Sequence, residues 1–124
     1  MKVLVFIALG GAVGAILRYG ASIGIYSLFG RGFPYGTLFV NVFGSLLMGV
    51  LTVMLLERLD IGAEWRAAVL VGLLGSFTTF STFSIETLYL LEQGESMRAV
   101  VNMVLSVLLC LAAVWFGVLL GRQL

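Results

Sequence analysis

The chain of 124 residues is 61% hydrophobic and only 10% charged, and its mean hydropathy is +1.17. Because soluble domains carry about a quarter charged residues, this composition excludes a soluble fold. The formal net charge of +1 excludes a basic surface for nucleic acid. The sequence contains no histidine, so it lacks the usual general base and the commonest transition-metal ligand, which argues against an enzyme.

Four apolar segments are long enough to cross a membrane, which requires about 20 residues each. The predicted spans are Val3–Tyr26, Gly36–Leu56, Trp65–Leu91 and Arg98–Gly121. The first apolar run is too long for the core of a signal peptide, so we interpret it as a retained helix. Only short polar joints separate the segments. We therefore predict an all-α membrane protein with a single domain over residues 1–124.

The basic residues are almost evenly divided between the two ends of the predicted helices. The side with both termini would carry Lys2, Arg58, Arg66 and Arg122. The opposite side would carry Arg31 and Arg98, with Arg18 near the end of the first helix. Orientation in the membrane follows such an imbalance, and here the imbalance is small. We therefore hypothesise that the chain inserts in both orientations.

Three of the four predicted helices carry a narrow polar stripe with a spacing of four residues, which places its members on one face. The stripes are Thr37, Asn41 and Ser45; Thr78, Thr82 and Glu86; and Asn102, Ser106 and Cys110. Such side chains commonly join helices through hydrogen bonds of about 0.6–2 kcal/mol. Converging stripes would instead line a polar pathway, and the sequence leaves both interpretations open.

Small residues also recur at intervals of four, as in the pairs Gly10–Gly14 and Gly20–Gly24 and the series Ala113, Gly117 and Gly121. Such faces allow helix backbones to approach closely. The pattern indicates close packing and suggests that the four helices bury further surface in an oligomer.

Two ionisable residues, Arg18 and Glu86, lie within the predicted spans. An intramembrane charge is a candidate functional group. Both residues lie near helix ends, where a long side chain can also reach the interface for purely structural reasons. No carboxylate lies near the middle of a span, which favours a passive conductor over a proton-driven exporter.

The third predicted helix contains an unusual stretch in which glycine and hydroxyl residues replace aliphatic ones. Glycine lowers helix propensity by about 1 kcal/mol relative to alanine, and serine or threonine can bend a helix. The sequence therefore predicts a break within Gly75–Ser81. A break exposes carbonyl oxygens that bind cations and N–H groups that favour anions. Phe77, Phe80 and Phe83 are either packing residues or rings whose positive edges face an anion.

Three motifs resemble the signatures of the Fluc (CrcB) family of fluoride channels. They are Gly-Gly-Ala-Val-Gly-Ala-Ile-Leu-Arg-Tyr from residue 10, Gly-Thr-Leu-Phe-Val-Asn-Val-Phe-Gly-Ser from residue 36, and Gly-Leu-Leu-Gly-Ser-Phe-Thr-Thr-Phe-Ser-Thr-Phe from residue 72. Chain length and helix number also agree. The resemblance implies a passive, fluoride-selective channel in a prokaryotic inner or plasma membrane, which exports cytoplasmic fluoride and reduces its toxicity. It also implies an antiparallel, dual-topology homodimer with two pores.

The resemblance further implies roles for particular residues. Asn41 would donate a hydrogen bond to fluoride, and the rings of Phe80 and Phe83 would line the path. Further positions along or beside the path would be Thr37, Ser81, Thr82 and Glu86. A central, non-transported Na⁺ would be held by the backbone carbonyls of Gly75 and Thr78 from both subunits. The roles of Arg18, Asn102 and Ser106 stay open.

Two other functions compete with a channel. A small multidrug exporter is also built from four short helices of dual topology, but it would need a carboxylate in the first helix, where this chain has Arg18. A structural membrane subunit would need neither the polar stripes nor the helix break. Fluoride efflux, drug–proton exchange or inactivity in liposomes would distinguish the three.

Overall fold

A computed structural model describes all 124 residues and consists of helices joined by short turns. Four helices are long and apolar enough to cross a membrane, which confirms the number of predicted spans. They cover Lys2–Phe29 (α1), Tyr35–Arg58 (α2), Ala63–Glu92 and Ser96–Gln123. Each extends slightly beyond its predicted bounds because polar end residues such as Lys2, Arg58 and Glu92 continue the helix.

The third span is not one regular helix. Its first part, residues 63–77 (α3), comprises Ala63–Arg66, the wider π-helical turns of Ala67–Leu74, and Gly75–Phe77. Thr78 and Thr79 then adopt extended dihedral angles, with φ −85° and ψ 158° at the first and φ −152° and ψ 124° at the second. The second part, Phe80–Glu92, is α4, and the last helix, Ser96–Gln123, is α5. The only proline, Pro34, precedes α2, so proline does not cause the interruption.

Hydrogen bonds at both ends of the bundle define its up-and-down topology. The Arg98 guanidinium donates to the Gly32 carbonyl at 3.0 Å, which joins the first turn to the start of α5. At the opposite end, Arg58 donates to the carbonyl of Arg122 and joins the ends of α2 and α5. Gly30 and Gly94 terminate α1 and α4 with φ of 81° and 79°, a conformation that glycine adopts without steric cost.

The helices cross closely where glycine replaces a larger residue. A Cβ atom on Gly10 or Gly14 of α1 would overlap the backbone of α3, and one on Gly49 of α2 or Gly117 of α5 would overlap the backbone of the facing helix. Such contacts are typical of membrane helices. Gly20, in contrast, has no atom within 4 Å of its Cβ position, so this part of α1 lacks a partner within the chain.

The buried core of the chain is small. Only 20 of the 124 residues are buried, and Leu74, Val40 and Asn102 are the largest of those whose side chains are almost completely inaccessible. Most apolar side chains therefore face outward, and in water this surface would be unstable. The fold requires lipid, a second chain or both around it.

Candidate functional site at the helix interruption

The extended pair Thr78–Thr79 is held in place by the side chain of Asn41 on α2. The Asn41 Nδ2 atom donates to the Thr79 carbonyl at 2.8 Å, and the Thr79 N–H donates to Asn41 Oδ1 at 2.7 Å. The amide thus satisfies both backbone polar groups of Thr79. Non-helical backbone at membrane depth requires such internal partners.

The interruption diverts two N–H groups from their helical acceptors. In a regular helix each N–H donates to the carbonyl four residues earlier, so the N–H of Thr79 would bond to Gly75. It bonds instead to Asn41 at 2.7 Å. The N–H of Thr82, whose helical acceptor would be Thr78, donates to Thr79 Oγ1 at 3.2 Å. The carbonyl oxygens of Gly75 and Thr78 are therefore left without these helical donors.

Thr79 also caps the N-terminus of α4. Besides accepting the N–H of Thr82, its hydroxyl donates to Thr82 Oγ1 at 3.1 Å. Threonine is a favoured N-cap residue, and the first N–H groups of a helix carry a partial positive charge. The sequence alone predicts no particular role for Thr79, although a hydroxyl residue at the start of a helical segment is a recognised capping signal.

A cavity of about 470 Å³ adjoins the interruption, between α2, α4 and α5. The polar residues that line it are Asn41, Ser45, Thr78, Thr79 and Ser106. The other residues that line it are Gly44, Met48, Phe80, Phe83, Val107, Cys110, Leu111 and Val114. No charged side chain lines it, so hydrogen-bond donors and aromatic edges are the only groups that the cavity offers to an anion.

The three regularly spaced phenylalanines have different surroundings. Phe77 is buried and meets Phe43 edge-on at a centroid distance of 6.3 Å, so it is a packing residue. Phe80 and Phe83 line the cavity with their centroids 5.3 Å apart and their planes inclined by 46°. Phe80 is 76% exposed in the single chain. The cavity is therefore open on the side of this ring.

The polar stripe of α5 is connected to α4 by a chain of hydrogen bonds. Ser106 Oγ donates to Asn102 Oδ1 at 3.4 Å, and Asn102 Nδ2 donates to Thr87 Oγ1 at 2.9 Å. Thr87 donates in turn to the Phe83 carbonyl at 2.7 Å. Asn102 is only 2% exposed. Here the stripe joins two helices, and its partner on α4 is Thr87, for which the sequence alone predicts no role.

Glu86 lies in the middle of α4, at a smaller pocket of about 170 Å³ that also includes Tyr26 and Arg31. The Tyr26 hydroxyl donates to Glu86 Oε2 at 3.0 Å, while Oε1 is buried without a hydrogen-bond partner. The Arg31 guanidinium lies 4.5 Å from the centre of the Tyr26 ring. The sequence alone predicts no role for Tyr26 either, because no local pattern relates residues 60 positions apart.

The remaining predicted positions do not line the larger cavity. Thr37 is buried, Ser81 is exposed, and Thr82 is bonded to Thr79. The assignment of Thr78 to one helical stripe with Thr82 and Glu86 is wrong. Thr78 precedes α4 in extended conformation, and its hydroxyl bonds back to the Leu74 carbonyl at 3.1 Å. The four-residue spacing fails because the helix does not continue between them.

The structure contains no cluster of three or more His, Cys, Asp or Glu residues that could hold a metal ion. Backbone carbonyl and hydroxyl oxygens are the other groups that can bind a hard cation. The unpaired carbonyls of Gly75 and Thr78 supply oxygens of this kind.

Comparison with known proteins identifies the family of this chain. A sequence model described as CrcB-like protein, Camphor Resistance (CrcB), matches residues 5–118. A protein of Methylococcus capsulatus named fluoride-specific ion channel FluC is 60% identical over 95% of this chain, which spans about half (52%) of that protein. Proteins of the same name from Shewanella amazonensis and Coxiella burnetii are 56% and 53% identical, and the matches cover 94% and 100% of both chains, respectively. The chain therefore belongs to the CrcB family.

Proposed function

We propose that this protein is a passive, fluoride-selective channel that lets fluoride leave the cytoplasm and so reduces its toxicity. The observation that carries the proposal is the identity of 56% and 53%, over nearly the whole length of both chains, to proteins named fluoride-specific ion channels. As a member of this family with four membrane-spanning helices, the chain is a multi-pass membrane protein and not an enzyme. Its relatives are bacterial, which places it in the cell membrane.

The cavity beside the interruption supplies the groups that an anion path requires. Fluoride is small and strongly hydrated, so a channel must replace its water with several donors of moderate strength. Asn41 offers an amide donor to this cavity, and Ser45 offers a hydroxyl donor. Because no lysine or arginine lines the cavity, the site would bind the ion without trapping it.

The rings of Phe80 and Phe83 complete the proposed path. A phenyl ring has a positive edge and a negative face. The inclined arrangement at 5.3 Å allows an edge of each ring to point into the cavity they share. Fluoride would then meet the weak positive potential of the ring edges as well as the hydrogen-bond donors of the cavity.

Thr37, Ser81, Thr82 and Glu86 would extend this path along α4 and the adjoining part of α2. Ser81 is exposed in the first turn of α4, and Thr82 is partly buried there. Glu86 lies at the 170 Å³ pocket, where an ion would enter or leave. An ionised carboxylate accepts hydrogen bonds but cannot donate one to fluoride. Glu86 would therefore act by holding neighbouring hydrogen-bond donors in place.

The membrane potential is a sufficient driving force. A potential of about 100 mV, negative inside, drives an anion outward by about 2.3 kcal/mol. The path contains no nucleotide site and needs no coupling ion. Passive conduction would therefore lower the cytoplasmic fluoride concentration.

The active unit would be an antiparallel homodimer. The outward apolar surface, the open cavity at Phe80 and the unpartnered Gly20 each favour a second chain. The basic residues at the two ends of the bundle are nearly balanced, with Lys2, Arg58, Arg66 and Arg122 against Arg31 and Arg98. Such a balance permits insertion in both orientations, which an antiparallel pair requires.

A structural Na⁺ would lie between the two subunits at the interruption. Carbonyl oxygens of unwound membrane helices are suitable ligands for Na⁺. The carbonyls of Gly75 and Thr78 have lost their helical donors to Asn41 and Thr79, so these residues fit such an ion. When bound, the cation would offset the repulsion between the partial negative charges of the carbonyl oxygens that the two chains bring together.

Efflux from liposomes tests the channel. Purified protein should release fluoride rapidly under a K⁺/valinomycin potential and release little chloride, as followed with ion-selective electrodes. Exchange of a cationic drug for protons would instead identify an exporter. A folded protein with no transport would identify a structural subunit.

A further inference from the structure

Asn41 lines the proposed anion cavity and also holds Thr79, the residue next to the proposed cation ligand Thr78. One N–H of Nδ2 and the Oδ1 atom are bonded to Thr79, at 2.8 and 2.7 Å. A primary amide has a second N–H donor. That donor has no partner within the chain, and Asn41 is one of the residues that line the 470 Å³ cavity.

The bond from the Thr79 N–H to Asn41 keeps the Gly75 carbonyl free. If the Asn41 amide were absent, both polar groups of Thr79 would need new partners at membrane depth. The nearest acceptor in sequence is the helical one, the Gly75 carbonyl. Loss of Asn41 would therefore favour a continuous helix in which this oxygen is occupied.

We propose that Asn41 is the positioning residue of the cation site, and that it links binding of the cation to binding of the anion. The inference rests on the proposed function, in which a Na⁺ lies at the carbonyls of Gly75 and Thr78. With Thr79 held by one edge of the amide, the remaining N–H has a fixed direction. Any cation that stabilises the extended conformation would then stabilise the anion donor, and by linkage the reverse holds.

A titration with Na⁺ alone tests this role without measuring transport. The detergent-solubilised dimer would be melted in fluoride-free buffer while Na⁺ replaces N-methyl-D-glucamine at constant ionic strength. We expect Na⁺ to stabilise the wild type with a defined midpoint concentration. In Asn41→Leu, which removes both hydrogen bonds at similar volume, the midpoint should rise by about tenfold or more.

Ser84→Ala is the matched control. It removes the hydrogen bond from Ser84 Oγ to the Phe80 carbonyl, just after the interruption, and leaves the pairing of Asn41 with Thr79 intact. Its midpoint should equal that of the wild type. An Asn41→Leu protein with the same midpoint as Ser84→Ala would overturn the inference alone. A wild type that Na⁺ does not stabilise would remove the cation from the proposed function, and this inference with it.

Amide hydrogen exchange in the wild type keeps the inference testable if Asn41→Leu does not fold. Na⁺ should slow exchange at Thr79, whose N–H is held by Asn41, with the same midpoint as the thermal stabilisation. Exchange at Val40, which lies in the core, should not respond to Na⁺. Equal protection of Thr79 in Na⁺ and in N-methyl-D-glucamine would contradict the proposed role.

Discussion

The Tyr26 hydroxyl of α1 donates to the Glu86 carboxylate of α4 at 3.0 Å, and it is the only hydrogen-bond donor that the carboxylate has in the chain. The interaction connects the first and third spans at the pocket where an ion would enter or leave. It fixes one carboxylate oxygen and leaves the other, Oε1, buried without a partner.

Replacing Tyr26 with phenylalanine should therefore disorder Glu86. We expect Tyr26→Phe to slow fluoride efflux and to lower the free energy of unfolding by about 1.5–3 kcal/mol, the usual contribution of a hydrogen bond to a charged group. Tyr89→Phe is the control, since Tyr89 lines the same pocket but makes no side-chain hydrogen bond. A fluoride electrode would measure the efflux rate, and SDS titration would measure the free energy of unfolding. If the two variants had the same efflux rate and the same stability, the hydrogen bond from Tyr26 to Glu86 would contribute to neither.

Phe80→Ile and Phe83→Ile should each reduce fluoride efflux by about tenfold or more, because an aliphatic side chain has no positive edge for the anion. Both proteins should still elute as dimers in size-exclusion chromatography. Phe39→Ile provides the control, because Phe39 stacks on Phe43 at 5.6 Å and does not line the cavity. Unchanged efflux in both cavity variants would remove the aromatic edges from the mechanism.

Thr79→Ala should destabilise α4 through loss of its N-cap. The free energy of unfolding should fall by about 1 kcal/mol, while the backbone bonds from Thr79 to Asn41 persist. Thr79→Ser retains an acceptor for the Thr82 N–H and should restore most of the stability. SDS titration of the three proteins measures the difference. If serine and alanine have the same effect, the hydroxyl does not act as a cap.

Asn102 and Thr87 should behave as a coupled pair. Thr87→Val and Asn102→Leu each leave a buried partner unsatisfied, so each should be destabilising. The double variant removes both partners and should be less destabilising than the sum, with a coupling energy of about 0.5–2 kcal/mol. A double-mutant cycle by SDS titration measures this coupling. Additive effects would contradict the hydrogen bond seen at 2.9 Å.

The number of helices and their approximate ends could be predicted because long apolar runs admit few other structures in a membrane. The motifs also directed attention to Asn41, Phe80 and Phe83, all of which line the larger cavity. The partners of these residues were harder to foresee. Thr79 and Thr87 act through contacts with α2 and α5, and Tyr26 acts across 60 residues. A four-residue periodicity describes one regular helix, so it also placed Thr78 on a stripe to which it does not belong.

The pairing of Asn41 with Thr79 also means that the bend in the third span depends on a contact with another helix. The stretch that bends contains no proline, and the amide that replaces its lost backbone partners comes from another helix. The irregular geometry is therefore a tertiary property. We expect a synthetic peptide of residues 63–92 in lipid micelles to wind continuously through Thr78 and Thr79. The kink would then form only during assembly of the bundle, after α2 has docked.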